Sequence, residues 1–187
     1  MSNFNCTACI DQFVAFLEAY QGNKREYVPS ADVISKLRSI LSENNISVET
    51  CELKDVKFAL RVLAKSEGYL QLRDSRAVYT VWQCVTGKSL EKFTREQVVE
   101  IIALFREIRQ VYFNLPADVR RSNVLPCYEF LITKIMAMTG HTLKRPGNCI
   151  NWNGNGNSSE KMFQIVEQKL LESRMSQLNA GVEGILI

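Results

Sequence analysis

The stretch Phe93–Pro146 reads FTREQVVEIIALFREIRQVYFNLPADVRRSNVLPCYEFLITKIMAMTGHTLKRP, and its spacing predicts two amphipathic helices with a basic connection between them. Each helix carries one apolar stripe at helical spacing. The first stripe is formed by Val98, Ile101, Phe105, Ile108 and Tyr112, and the second by Val124, Tyr128, Leu131, Ile135 and Met138. Because a connection of about ten residues joins them, the two helices are expected to pack as an antiparallel pair.

Helical periodicity extends over most of the remaining chain, whereas alternating strand patterns are nearly absent apart from a possible short extended piece at Tyr69–Leu72. Start signals include Ser30, the capping-box pair Thr94 and Gln97, and Pro126 in a first helical turn. Gly87 and Gly140 predict helix ends. These signals predict about seven helices, near residues 7–21, 30–43, 51–66, 74–86, 94–114, 125–139 and 158–176.

The predicted fold class is all-α, with a single compact multi-helix domain and a central antiparallel helix pair. A chain of 187 residues is long enough to bury one such core. We divide it into an N-terminal helix at 1–29, a helical domain at 30–176 and a flexible tail at 177–187. No apolar run approaches the length of a membrane span, and no export signal precedes the first helix, so we expect a soluble protein that is not secreted.

Formal charge is unevenly distributed along the chain. Residues 94–146 hold 8 Lys and Arg against 5 Asp and Glu, which accounts for the net charge of +3. This value is low for a domain that is wrapped in nucleic acid. The best candidates for phosphate or partner contact are Arg120, Arg121, Asn123, Lys144 and Arg145, with Lys24 and Arg25 as a second pair.

The basic pairs Arg120–Arg121 and Lys144–Arg145 flank the second helix of the antiparallel pair. They are therefore expected to lie about 20 Å apart, since a helix rises about 1.5 Å per residue. At this distance the two pairs are not expected to form one compact DNA-binding patch. The alternative interpretation of Arg120 and Arg121 is a solvent-exposed turn without a partner. We favour protein contact, with double-stranded DNA as a secondary partner.

The order of these elements resembles the late gene transcription factor 3-like family of poxviruses and other large DNA viruses. The matched blocks are TREQVVEIIALFREI, RRSNVLPCYEFLITKI and TLKRP, preceded by DVISKLRSILSENNIS at 32–47. The second block includes Lys134, which joins the candidate contact residues through this resemblance. The resemblance implies a non-enzymatic viral protein that acts with the viral RNA polymerase and other late transcription factors.

The family is also linked to an N-terminal zinc-binding segment with paired Cys-x-x-Cys motifs, and the present chain departs from that pattern. Cys6 and Cys9 have the spacing with which two thiolates share a zinc ion, but no second such pair follows. These cysteines also fit the first turn of an amphipathic helix, so we expect no cofactor, and zinc at Cys6 and Cys9 is the alternative. The lone histidine, His141, follows Gly140 and is expected at a helix end.

Three functions remain open. The first is an adaptor between the viral RNA polymerase and late promoters, located in viral factories of the host cytoplasm. The second is a helical virion or assembly protein that reuses the same fold. The third, an enzyme, is not expected, because the spacings of nucleophilic, metallohydrolase and phosphate-loop sites are missing.

Overall fold

A computed structural model describes residues 6–23, 28–67, 76–120, 125–145, 147 and 156–183; the side chains of 6–8, 67, 156–159 and 177–183 are outside the described set. Its helices are α1 (Cys6–Tyr20), α2 (Ala31–Glu43), α3 (Leu53–Glu67), α4 (Ala77–Thr86), α5 (Arg95–Asn114), α6 (Ala117–Arg120), α7 (Tyr128–Thr139) and α8 (Gly156–Glu183). Within those ranges no residue forms a strand, which confirms the all-α fold class. The predicted extended piece at 69–72 lies outside them.

Several helix ends follow the signals in the sequence. The Ser30 hydroxyl accepts a hydrogen bond from the backbone N–H of Val33 (3.4 Å) and so caps α2. Gly87 and Gly140 end α4 and α7 in the left-handed conformation, with φ of 71° and 70°. Since a side chain is strained there, glycine at these two positions sets where the helices stop.

Several helix boundaries and one short helix differ from the prediction. α7 begins at Tyr128 instead of 125, because Cys127 is extended (ψ 146°) and leaves Pro126 before the helix. The short helix α6 was not predicted, since four residues show no apolar period. α8 continues to Glu183, beyond the predicted end at 176. Backbone hydrogen bonds sustain a helix without an apolar stripe, so the loss of periodicity was a poor stop signal.

The chain divides into two compact units, and unit 1 comprises Met1–Arg95 with Thr142–Asn151. Its centre is α4, which packs against α1, α2 and α3. Seven residues of α4 are buried, namely Ala77, Val78, Tyr79, Thr80, Val81, Trp82 and Val85. The Trp82 indole N–H donates to the backbone carbonyl of Cys51 (2.9 Å), and the Arg38 guanidinium donates twice to the carbonyl of Val85 (2.8 and 3.0 Å).

Unit 2 comprises Glu96–His141 with Trp152–Ile187. The Phe105 ring on α5 meets Tyr128 at the start of α7, and His141, just after α7, meets Glu100 one turn earlier on α5. α7 therefore runs back along α5, as the antiparallel pair requires. Phe130 of α7 contacts Phe163 of α8 edge to face, with ring centroids 5.6 Å apart.

The predicted stripes are buried in their central parts. Ile101, Phe105, Ile108 and Tyr112 of α5 are buried, as are Leu131 and Ile135 of α7. The ends of the stripes, Val98, Tyr128 and Met138, are half-buried, and Val124 lies outside the described residues. None of the described helices has the length and apolar character that crossing a membrane requires.

Replacing Trp82 with Phe should lower the free energy of unfolding by about 2–4 kcal/mol, because the change leaves the buried Cys51 carbonyl without its donor and a gap beside α4. Urea titration followed by far-ultraviolet circular dichroism measures the change. Val99→Ala is the control, since Val99 is 62% exposed. Equal midpoints for both variants would show that the indole bond does not stabilise unit 1.

Candidate functional site

The predicted contact residues fall into three groups. Arg120 and Lys134 lie in unit 2, whereas Lys144 and Arg145 lie in unit 1. The remaining candidates lie outside the described residues: Lys24, Arg25, Arg121 and Asn123.

Arg120 lies at the end of α6 and contacts the preceding helix. One guanidinium N–H donates to the carbonyl of Phe113 (3.1 Å), and the guanidinium carbon lies 5.6 Å from the centroid of the Phe113 ring. The guanidinium of Arg109 approaches the same ring at 5.3 Å. Carbonyls in the last turn of a helix lack helical partners, so Arg120 supplies a donor that the end of α5 needs. These contacts give Arg120 a structural task within unit 2.

Lys134 connects α7 to α8. Its ammonium forms an ion pair with Glu160 and lies 5.6 Å from the Phe130 ring centroid and 5.8 Å from that of Phe163. Cation–π contacts of this kind add to the ion pair because the ring faces are electron-rich. Lys134 thus contributes to the packing of two helices.

Lys144 and Arg145 line a groove within unit 1 that has a volume of about 510 Å³. The groove lies between the turn that precedes α3, the connection from α4 to α5, and the segment that follows His141. The backbone N–H of Lys144 donates to the Glu91 carboxylate (2.6 Å), which fixes that segment to the α4–α5 connection. The other lining residues are Glu49, Thr50, Cys51, Glu52, Trp82, Lys88, Ser89, Leu90 and Gly147.

The three carboxylates of the groove all have partners. Glu52 forms an ion pair with Lys54 (2.8 Å), and Glu91 accepts from the backbone of Lys144. The backbone N–H of Glu49 and the Ser47 hydroxyl lower the pKa of the Glu49 carboxyl by donating to its charged form. The carboxylate oxygens of the groove therefore already accept hydrogen bonds or form ion pairs with other groups.

The cations of the groove are less well matched. The Lys88 ammonium donates to the carbonyl of Glu49. The Arg145 guanidinium carbon lies 4.0 Å from the centroid of the Tyr20 ring, and its three nitrogens are buried without a hydrogen-bond acceptor among the described residues. A buried donor without an acceptor costs about 1–3 kcal/mol, and more when it is charged. Arg145 thus brings buried donors to the groove that have no acceptor among the described residues.

Sequence reasoning did not find Tyr20 and Lys88 as neighbours of Arg145. Tyr20 is a buried aromatic residue at the end of α1. Lys88 follows the predicted helix end at Gly87. No motif or periodic pattern in the sequence indicates that Tyr20 or Lys88 lies close to Arg145. Only the tertiary structure brings these positions together.

His141 lies beside α5 in unit 2. Its Nε2 is 2.7 Å from a Glu100 carboxylate oxygen, and its Nδ1 is 3.4 Å from the Gln97 amide nitrogen. This contact with Glu100 links the segment after α7 to the first part of α5. Its position at a helix end agrees with the sequence prediction.

The cysteines differ in their surroundings. Among the described cysteines after α1, Cys51 is buried, Cys84 is half-buried and Cys127 is exposed. Cys127 is exposed because it is the extended residue before α7. Burial raises the pKa of the Cys51 thiol to about 11, and the Asp55 carboxylate adds to that shift.

A zinc site at Cys6 and Cys9 would need two further ligands. Both residues lie in the first part of α1, and the Cys6 side chain is outside the described set. No three His, Cys, Asp or Glu side chains in the described set lie close enough to share a metal ion. The described residues therefore supply no closed zinc site, and zinc at this pair stays the untested alternative.

Comparison with known proteins identifies one protein family. Residues 2–171 match the family described as Poxvirus Late Transcription Factor VLTF3 like. Neither the curated proteins nor the solved structures contain a significant match.

Removing the Arg120 side chain tests its structural task. Arg120→Ala should lower the free energy of unfolding by about 1–2 kcal/mol, because the Phe113 carbonyl loses a charged donor and the ring loses a cation. Arg106→Ala is the matched control, since Arg106 is exposed on the same unit; its effect should stay within about 0.5 kcal/mol. Indistinguishable urea midpoints for the two variants would contradict this role.

Thiol alkylation tests the surroundings of the cysteines. At about pH 8, iodoacetamide should modify Cys127 well before Cys51, because the raised pKa of Cys51 leaves little thiolate and burial restricts access. The Cys51 rate should rise as the pH approaches about 11. Peptide mass spectrometry gives both rates, and labelling in urea provides the reference. Equal native rates would be incompatible with the buried thiol.

Proposed function

This chain belongs to the Poxvirus Late Transcription Factor VLTF3 like family, and we propose that it is a non-enzymatic adaptor of late transcription. In this role it joins the viral RNA polymerase to other late transcription factors at late promoters. The observation that carries the proposal is the family match, which spans residues 2–171. The proposed location is the viral factory in the host cytoplasm.

The character of the groove in unit 1 supports protein contact as the main activity. Its lining combines three carboxylates with Lys88, Lys144 and Arg145, and surfaces of mixed charge are suited to selecting a protein partner by complementary pairing. The Lys144 side chain is exposed and has no partner among the described residues. We therefore propose Lys144 as a contact residue on the rim of this groove.

Double-stranded DNA is a secondary partner in this proposal. Phosphate contact needs cationic side chains that are available to solvent along a common path. Arg120 and Lys134 form internal contacts within unit 2, which favours a structural task for both. Lys144 is the described candidate that best meets the requirement.

Affinity purification of the tagged full chain from infected cells tests the adaptor role. The viral RNA polymerase subunits should be enriched, and Lys144→Glu should reduce their yield by about tenfold, which corresponds to ~1.4 kcal/mol. Lys161→Glu is the matched control, because it reverses an exposed charge on α8 and should leave the yield unchanged. Quantitative mass spectrometry measures both.

Two results would oppose the proposal. Enrichment of capsid proteins with polymerase subunits at background would favour the alternative, a helical virion or assembly protein. An equal decrease in the yield of polymerase subunits for Lys144→Glu and Lys161→Glu would show that the net charge of the protein, and not the groove, determines the interaction.

A further inference from the structure

The Arg145 guanidinium has donors without acceptors. Its Nε and both Nη atoms are buried, and no described residue accepts from them. A guanidinium carries five N–H bonds and cannot be deprotonated in a protein, so it cannot relieve the mismatch by losing its charge. The interaction with Tyr20 offsets part of this cost, but it supplies no hydrogen-bond acceptor.

The contact with Tyr20 does not use the N–H bonds of Arg145, so these bonds can donate to a ligand. The guanidinium carbon lies over the Tyr20 ring, 4.0 Å from its centroid, and the N–H bonds lie in the plane of the guanidinium. Stacking and a paired hydrogen bond with one carboxylate therefore use different directions of the same group. Tyr20 also restricts the side chain, which reduces the entropy lost when a ligand binds.

We infer that the groove around Arg145 binds a carboxylate side chain from an acidic segment of a protein partner. The carboxylate would meet the Arg145 edge, and Lys144 on the rim would contribute a second positive charge. Because the Arg145 nitrogens are buried, the groove wall or the side chain moves outward when the carboxylate enters. Side-chain changes of this size are common at interfaces.

The lining of the groove favours a carboxylate over a nucleic-acid backbone. Glu49, Glu52 and Glu91 share the groove with the three cations, and their charges act over a Debye length of about 8–10 Å. A chain of phosphates places negative charge beside these carboxylates at regular intervals. A peptide can instead pair one carboxylate with Arg145 and present neutral or basic residues to the rest of the lining.

The volume is also suitable for a peptide segment. The groove measures about 510 Å³, which is within the range of roughly 300–1,000 Å³ that is typical of ligand sites. The proposed adaptor function supplies the expectation that the partner is a protein of the transcription machinery. The expectation that its contacting group is a carboxylate rests on the groove residues alone. A test with small probes therefore needs neither the polymerase nor the promoter.

Nuclear magnetic resonance of the full-length, ¹⁵N-labelled chain tests this inference through the Nε–Hε signal of Arg145. The probes are a blocked Gly-Glu-Gly tripeptide, the neutral blocked Gly-Gln-Gly tripeptide, inorganic phosphate and a short DNA duplex. The Glu tripeptide should shift the Arg145 signal saturably, with a Kd on the order of 1 mM. The Gln tripeptide should leave it unchanged.

Variants identify the residue that is responsible. Arg145→Met keeps an apolar stem against Tyr20 and should abolish the response of neighbouring backbone signals to the Glu tripeptide. Arg145→Lys keeps the charge without the planar fork and should weaken binding by about tenfold or more. Arg61→Met removes an exposed cation from α3 of the same unit and should bind normally. Thermal unfolding of each variant separates loss of binding from loss of fold.

Absence of a saturable Arg145 shift with the Glu tripeptide would overturn the inference, and this measurement on the unmodified chain stands even where Arg145→Met fails to fold. A shift produced by phosphate or DNA and not by the Glu tripeptide would also overturn it, by assigning the groove to nucleic acid. Polymerase enrichment without tripeptide binding would retain the proposed function and reject the carboxylate site. The reverse pattern would retain the site and reject the function.

Discussion

Burial of α4 is the constraint on which the rest of unit 1 depends. Helices that are apolar on nearly every side are stable in water only when other elements enclose them, and α1, α2 and α3 provide that enclosure. The polar groups that burial removes from water must be satisfied inside the protein. Trp82 donates to Cys51, and Arg38 donates to the carbonyl of Val85 near the end of the helix. The packing around α4 therefore also fixes the turn that precedes α3.

The groove follows from that same packing. Trp82 and Cys51, which α4 and its neighbour hold in place, are also part of the groove lining. The segment that carries Lys144 and Arg145 is fixed by the Glu91 carboxylate on one side and by the Tyr20 ring on the other. These contacts position the charged groups of the groove before a ligand binds, and the outward movement that the Arg145 site needs is then confined to one side chain or one wall.

Local signals account for the parts of the structure that could be predicted from the sequence. Ser30, Gly87 and Gly140 act on the backbone within a few residues, so they placed helix ends correctly. The apolar stripe around Phe105 likewise depends only on helical periodicity. The contact between Arg145 and Tyr20 joins residues that are remote in sequence, and no periodic or motif signal encodes such a pair. Candidate contact residues could be named from charge, but the structural tasks of Arg120 and Lys134 could not.

Several of the described cations in residues 94–146, where the excess of positive charge lies, make internal contacts. Arg120 serves a helix end, Lys134 joins two helices, and Lys144 and Arg145 belong to a different unit from both. Cations that make internal contacts contribute less to the field around a protein than free cations of the same number, because their partners offset their charge. The proposed recognition of partners therefore rests on individual, sterically defined pairings, for which the Arg145 guanidinium, without acceptors among the described residues, is the proposed group.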